Sequence, residues 1–341
     1  MKSTIYKISF IATAIPIRLL ASVTGQKAIF PFYHLISDDN VAHIKHLYPV
    51  RSTKAFEKDL DFFLKNYNPV ELDVFFKLAK SGKFPKKNIF LLTFDDGLSQ
   101  FYDVIAPILQ RKGVPAICFL NSAFIDNKDL FFRYKASLLI DKIINKPLSL
   151  TQEKEIRKIF VDNSILIRDN TQAILSIDYA KRSLLDDCAN ILALDFSDYL
   201  NTQKPYLSSN QIQELRNKGF EFGAHSIDHP LYSQLDQAEQ IRQTKISVND
   251  ISESFNIQQR LFSFPFSDVG VKKDFFDTIF DTSHSIADIT FGCSGLKKDI
   301  CNLNIQRIPI EIEQFSAKQI VYGEYWYYIL KMLVNKNVLK R

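Results

Sequence analysis

Short apolar runs alternate along this chain with longer stretches whose apolar positions recur at the helical period. "AIFPFYH" (Ala28 to His34), the run Ile89 to Phe94 and "VPAICFL" each read as a buried strand. Between the first two, Ser52 can cap a helix whose apolar residues fall at Phe56, Leu60, Phe63, Leu64 and Tyr67. A second helix is expected from Tyr102 to Lys112, stopped by Gly113. Strand, helix, strand at this spacing predicts parallel βαβ units, hence an α/β sheet or barrel.

From about residue 124 to 204 the character changes: glycine is absent, and "TQEKEIRKIF" and "YAKRSLLDDCANIL" read as helices. We take this as a mainly helical insertion into an α/β body spanning 28–321. Regularity returns with "LSSNQIQELRNKG", a capped helix, followed by the strand "FEFGA". A long amphipathic helix is expected over Leu231 to Ser254, then strands in "LFSFPF" and "IQRIPIEI". The tail 322–341, "YGEYWYYILKMLVNKNVLKR", reads as an aromatic and basic helix that either packs on the body or lies on a membrane surface.

Composition narrows the classes. With 341 residues, 46% hydrophobic and 24% charged, the chain is long enough for one large domain or two modest ones. The net charge of +5 is spread rather than blocked, which argues against a nucleic-acid partner but would favour an anionic polymer or a peripheral membrane contact. Four cysteines without a CxxC pair or ligand-like spacing exclude a disulfide scaffold, and Cys118 reads as a buried thiol. Residues 1–27 start basic and run apolar from Ile8 to Ile17, but Pro16 and Arg18 interrupt them. That is too short to span a bilayer. The segment is either an imperfect signal peptide or a surface-lying helix, and the second reading tilts the expected location toward the cytoplasm or a membrane periphery.

The chemistry concentrates at two strand ends. "TFDDG" places Asp95 and Asp96 where an apolar strand stops. Neighbouring strand side chains point to opposite faces, so the pair can share a site only if the chain turns there, and Gly97 permits the turn. The mouth beyond the carboxyl ends of parallel strands is where such folds carry their sites; the plainer alternative is a helix-capping Asp beside a solvated one. In "FGAHSIDHP", His225 and His229 follow another strand four residues apart, a spacing that can aim two imidazoles at one metal ion. Asp228 between them reads as solvated or capping.

"TFDDG" followed by "HSIDHP" resembles the first two motifs of the NodB-type polysaccharide deacetylases (carbohydrate esterase family 4), over about residues 29 to 310. The resemblance implies a distorted (β/α) barrel of about seven strands. It also implies a divalent metal, most often Zn2+, on Asp96, His225 and His229, with Asp95 as general base. The implied reaction is hydrolysis of N-acetyl groups from N-acetylhexosamine units of a glycan. Another metal-dependent amide hydrolase, or an inactive glycan-binding protein of the same fold, are the alternatives. A third family motif matches "QRLFSFPFSD" in part: Pro265 and Phe266 fit, the Phe266 N–H becomes a candidate oxyanion donor, and Arg260 is offset. Arg307, in "QRIPIE", is a second candidate for orienting Asp95. The family's late Leu-x-His is missing. An exopolysaccharide-deacetylase variant with an early acid histidine points instead to His34, with His284 as the alternative; His43 and His46 lie in a polar stretch and are expected to be exposed.

Overall fold

Eight short strands, all parallel, make the central sheet of the computed structural model, which describes residues 5–7, 15–82, 85–166, 168–312 and 315–341. They are β1 (Pro31–Tyr33), β2 (Leu92–Phe94), β3 (Ala116–Leu120), β4 (Glu221–Ala224), β5 (Leu261–Ser263), β6 (Ile289–Gly292), β7 (Asn304–Gln306) and β8 (Ile308–Pro309). Their order across the sheet is β7-β6-β5-β4-β3-β2-β1-β8. The two edge strands are consecutive in the chain, with Arg307 alone between them. One segment therefore lines one edge and continues onto the other, which brings the edges together into a nearly closed barrel with seven chain segments in its wall. This is the expected distorted (β/α) barrel.

The period of two sorts the wall residues. Leu91, Ile117, Phe119, Leu261, Ile289 and Phe291 pack together inside the barrel. Their neighbours Leu92, Phe94, Cys118, Leu120 and Phe262 face outward into the core beneath the helices. Extending the inward register to the carboxyl ends gives Thr93 and Asp95 on β2, Ser263 on β5 and His225 after β4. All four are buried. The site is thus the top layer of the barrel interior, where apolar packing gives way to polar groups.

Helix α1 (Ile17–Thr24) buries Ile17, Leu20 and Ala21, and α2 (Thr53–Asn66) is capped by Ser52 as expected. Between Tyr102 and Lys112 the first turn is a wide π turn, Phe101–Ile105, before regular helix to Lys112 and the left-handed Gly113. The insertion is helical as expected: α3 (Phe132–Asn145), α4 (Leu150–Asp162), α5 (Asn170–Ser176), α6 (Leu184–Ile191) and α7 (Phe196–Gln203) share a core of their own with Leu35 and Ile44. The long helix starts later than its periodicity suggests. Asp236 caps α8 (Gln237–Phe255), leaving Tyr232–Gln234 as a separate short turn. The last helix, α9 (Ala317–Leu333), begins earlier because Ser316 and Gln319 form a capping box, and its face around Tyr322 and Tyr325 is buried. Val338–Leu339 beyond it is not helical but pairs with Lys298–Asp299. In the apolar N-terminal stretch from Ile8, residues 8–14 lie outside the described residues. Among the described residues no helix is long and apolar enough to cross a membrane.

Candidate active site

Four non-glycine residues at the carboxyl ends of the strands hold left-handed backbone: Asp96 (φ 72°), Ser226 (φ 67°), His229 (φ 64°) and Phe266 (φ 54°). Such conformations cost of order 1–3 kcal/mol each and persist where the surroundings enforce them. At Asp96 the left-handed turn reverses the strand alternation, so Asp95 and Asp96 reach one space. Gly97 continues the turn at φ 63°, and a Cβ there would press to 2.7 Å from a Leu120 methyl.

Asp96, His225 and His229 each offer one ligand atom, and these atoms lie within 4.8 Å of one another. Asp96 Oδ1 stands 3.3 Å from His229 Nε2 and 3.6 Å from His225 Nε2. All three side chains are buried, and Asp96 Oδ1 has no hydrogen-bond partner among the described residues. His225 Nδ1 lies 2.8 Å from the Ser263 carbonyl. A ring that donates from Nδ1 presents the Nε2 lone pair to the site. Burial drives the His225 imidazole down to about 4, in the neutral form a metal ligand needs. Burial would raise the Asp96 carboxyl, but the charge of His229 beside it outweighs burial and holds it below the usual carboxylate range. An unpartnered buried carboxylate oxygen facing two imidazoles fits a divalent cation. The insertion completes the cluster: the Tyr134 hydroxyl donates to Asp96 Oδ2 at 2.7 Å.

Arg307 stands where the barrel wall switches edges. Its Nη1 and Nη2 donate to the two oxygens of Asp95, both at 2.7 Å, and Nη2 also donates to the Ser263 hydroxyl at 2.6 Å. Burial raises the Asp95 carboxyl, yet the Arg307 guanidinium overrides it and the net shift is downward. The expected role of Arg307 in orienting Asp95 therefore has its geometry. Arg260 precedes β5 at the other end of the barrel, where its N–H donates to Asp288.

His34 follows β1 and lines the same cavity as Asp96, His225 and His229. Its Nδ1 pairs with Glu311 Oε2 at 2.7 Å, and Glu311 also accepts from the N–H groups of His34 and Leu35. Burial lowers the imidazole, but the Glu311 carboxylate more than offsets it and the pKa rises to about 9. Glu311 is a site residue that the sequence analysis missed. His284 is exposed, beside the Ser283 hydroxyl, and does not line this cavity. Asp228 accepts from Tyr179 and from Gln243, apart from the cluster. The expectation that His43 and His46 are exposed is wrong. His43 is buried under the insertion against Tyr134 and Tyr199, with burial pushing its pKa down to about 3. His46 lines the cavity and pairs with Asp141 at 3.5 Å. The Phe266 ring stands 4.6 Å from that of His229. No acceptor among the described residues takes the Phe266 N–H.

Asp95, Asp96, His225, His229, His34 and Arg307 line one cavity of about 440 Å³. The family model for polysaccharide deacetylase matches residues 82–275, more than half of the chain. The solved structure of the Streptococcus pyogenes deacetylase PplD in complex with acetate aligns at a TM-score of 0.54 and 14% identity, covering 87% of this chain and 97% of that one. IcaB from Ammonifex degensii aligns at 0.53 and 13% over the same shares. BC0361, a polysaccharide deacetylase from Bacillus cereus, aligns at 0.51 and 12%, covering 87% of this chain and 68% of its own. At such identities these likenesses speak for the fold alone. No curated protein matches the sequence.

Proposed function

The chain belongs to the polysaccharide deacetylase family, and from that premise we propose that it hydrolyses N-acetyl groups of N-acetylhexosamine units in a glycan, with a divalent cation, zinc foremost, on Asp96, His225 and His229. The observation that carries the metal-dependent reading is Asp96 Oδ1, buried, without a hydrogen-bond partner among the described residues and faced by two imidazoles.

The bound cation would supply Lewis-acid polarisation of the acetamide carbonyl and of the attacking water. The chain's own groups do the rest. Asp95, fixed in plane by the Arg307 fork, accepts the proton of the water as its oxygen bonds to the carbonyl carbon. The Phe266 N–H donates to the oxyanion that develops. His34, kept protonated by Glu311, gives its proton to the leaving nitrogen as the C–N bond breaks, leaving acetate and a free amine. Phe131 and Phe266, packed around His229, narrow water access to the reacting centre.

Another amide hydrolase and an inactive binder remain the competing readings. The full set of Asp95, Asp96, His225 and His229 favours turnover, since a binder has no need of a base beside a metal cluster. Acetate release from N-acetylglucosamine oligomers, measured with and without chelator, tests this. Release that chelator abolishes and metal restores is expected. Binding without release from any N-acetylated glycan by metal-loaded protein would leave the binder; release from small amides only would leave the other hydrolase.

A further inference from the structure

Arg133 is the odd cation of the active-site cavity. It sits in the first turn of α3, two residues after Phe131, whose ring lies 4.2 Å from that of His229, and it lines the same cavity as Asp95, Asp96 and His34. Every other cationic or imidazole side chain of that wall outside the metal cluster has a carboxylate: Arg307 has Asp95, His34 has Glu311, and His46 has Asp141. Among the described residues no carboxylate lies within ion-pair distance of Arg133.

Its position is nevertheless fixed. Nη1 donates to the Leu175 carbonyl, and the guanidinium lies 4.8 Å from the centre of the Phe132 ring. Nε and Nη2 have no hydrogen bond to the described residues. Arg133 is half-buried, and burial pulls its pKa below the usual arginine value. Asp178 is the carboxylate whose charge reaches Arg133, and it stands beyond ion-pair distance. A held, partly desolvated cation without a directly paired carboxylate is costly, and an arriving oxyanion that takes two parallel N–H bonds offsets that cost. Arginine at such a point is a planar fork for carboxylate or phosphate.

We propose that Arg133 forms a subsite for an oxyanion carried by the glycan next to the acetamido group presented to Asp95. The substrate is then an anionic N-acetylated glycan rather than a neutral one. This rests on the deacetylase reading above and adds a charge requirement to it.

The test separates binding from turnover. Metal-loaded Asp95→Asn protein is titrated calorimetrically with two tetramers, one of N-acetylglucosamine alone and one alternating N-acetylglucosamine with glucuronate. The acidic tetramer should bind about tenfold or more tighter at low salt, the scale of one charge-assisted contact. Added to Asp95→Asn, Arg133→Gln should erase that ratio and Arg133→Lys should restore part of it. Displacement of the acidic tetramer by inorganic phosphate rather than by free glucuronate points to a phosphate-bearing glycan, and the reverse to a uronate. In the active enzyme the ratio of kcat/KM for acidic over neutral tetramer should fall about tenfold in Arg133→Gln, carried by KM. Equal ratios in parent and Arg133→Gln, in binding and in KM, overturn the subsite while leaving the deacetylase intact. Binding preference without acetate release from any glycan does the opposite: it keeps the subsite and removes the deacetylase reading.

Discussion

The Tyr134 hydroxyl donates to Asp96 Oδ2 at 2.7 Å, which leaves Oδ1 as the oxygen directed at His225 and His229. Tyr134 belongs to α3 of the insertion and Asp96 to the barrel, so the insertion fixes which carboxylate oxygen serves the cluster. Tyr134→Phe keeps the ring and removes the hydrogen bond. We expect metal affinity to fall about 10- to 100-fold, the usual cost of losing such a support. Competition against a chromogenic chelator measures it, and unchanged affinity would show that the phenol does not position the ligand.

The ligand and base roles separate by metal content. Asp96→Ala, His225→Ala and His229→Ala should each lose bound cation, whereas Asp95→Asn should retain it and lose turnover. Stoichiometric metal by elemental analysis in His225→Ala would refute the ligand assignment.

Much of this site was legible because strand alternation is strict. An apolar strand ending in "TFDD" and another ending in "GAH" had to deliver Asp95 and His225 to one mouth, and Gly97 announced the turn that adds Asp96. Arg307 was visible as a cation at the start of an apolar strand, although nothing local showed that its strand also closes the barrel. Tyr134 and Glu311 were invisible for a common reason. Their partners lie 38 and 277 residues away, and neither "FRYK" nor "PIEI" differs from an ordinary amphipathic segment. His43 was misjudged because the polar run Ser37 to Asn40 and the basic Lys45 flank its short apolar stretch, whereas the insertion folds over that loop and buries Ile44 beside it.

Arg307 and Asp95 are both buried, so removing one partner strands the other. Arg307→Met should destabilise the fold by about 3–5 kcal/mol. The pH dependence carries a sign. In the native protein the Asp95 pKa is depressed below its unfolded value of about 3.9, so its contribution is present above that pH and lost as pH falls through the lower folded value. Without Arg307, burial raises the folded pKa above the unfolded one, and protonation then favours the folded state. The stability gap between native protein and Arg307→Met should therefore narrow on acidification, first as pH falls through the variant's raised carboxyl pKa and further below about 4. Denaturant melts at several pH values read this directly; a gap that widens on acidification would mean that Arg307 is not what holds Asp95 ionised.

His34 and Glu311 set the alkaline edge. With the His34 pKa raised to about 9, the folded value lies above the unfolded one of about 6.5. The pair's contribution to stability is then complete below about 6.5 and lost as pH rises through 9. In its proposed role as the acid that protonates the leaving amine, His34 works only when protonated, so kcat/KM should fall on the same alkaline limb. A cation bound at Asp96 repels the imidazolium, so the limb in the metal-loaded enzyme should lie below 9. Glu311→Gln preserves the size of the side chain and removes its charge. It should move the limb down by about 1 unit or more, with metal content unchanged. His34→Ala should lose about 10²- to 10⁴-fold in kcat and no metal. If Glu311→Gln lowers the rate equally at every pH, the carboxylate merely ties β1 to β8 through the backbone N–H groups of His34 and Leu35, and the acid must be sought elsewhere on the cavity wall.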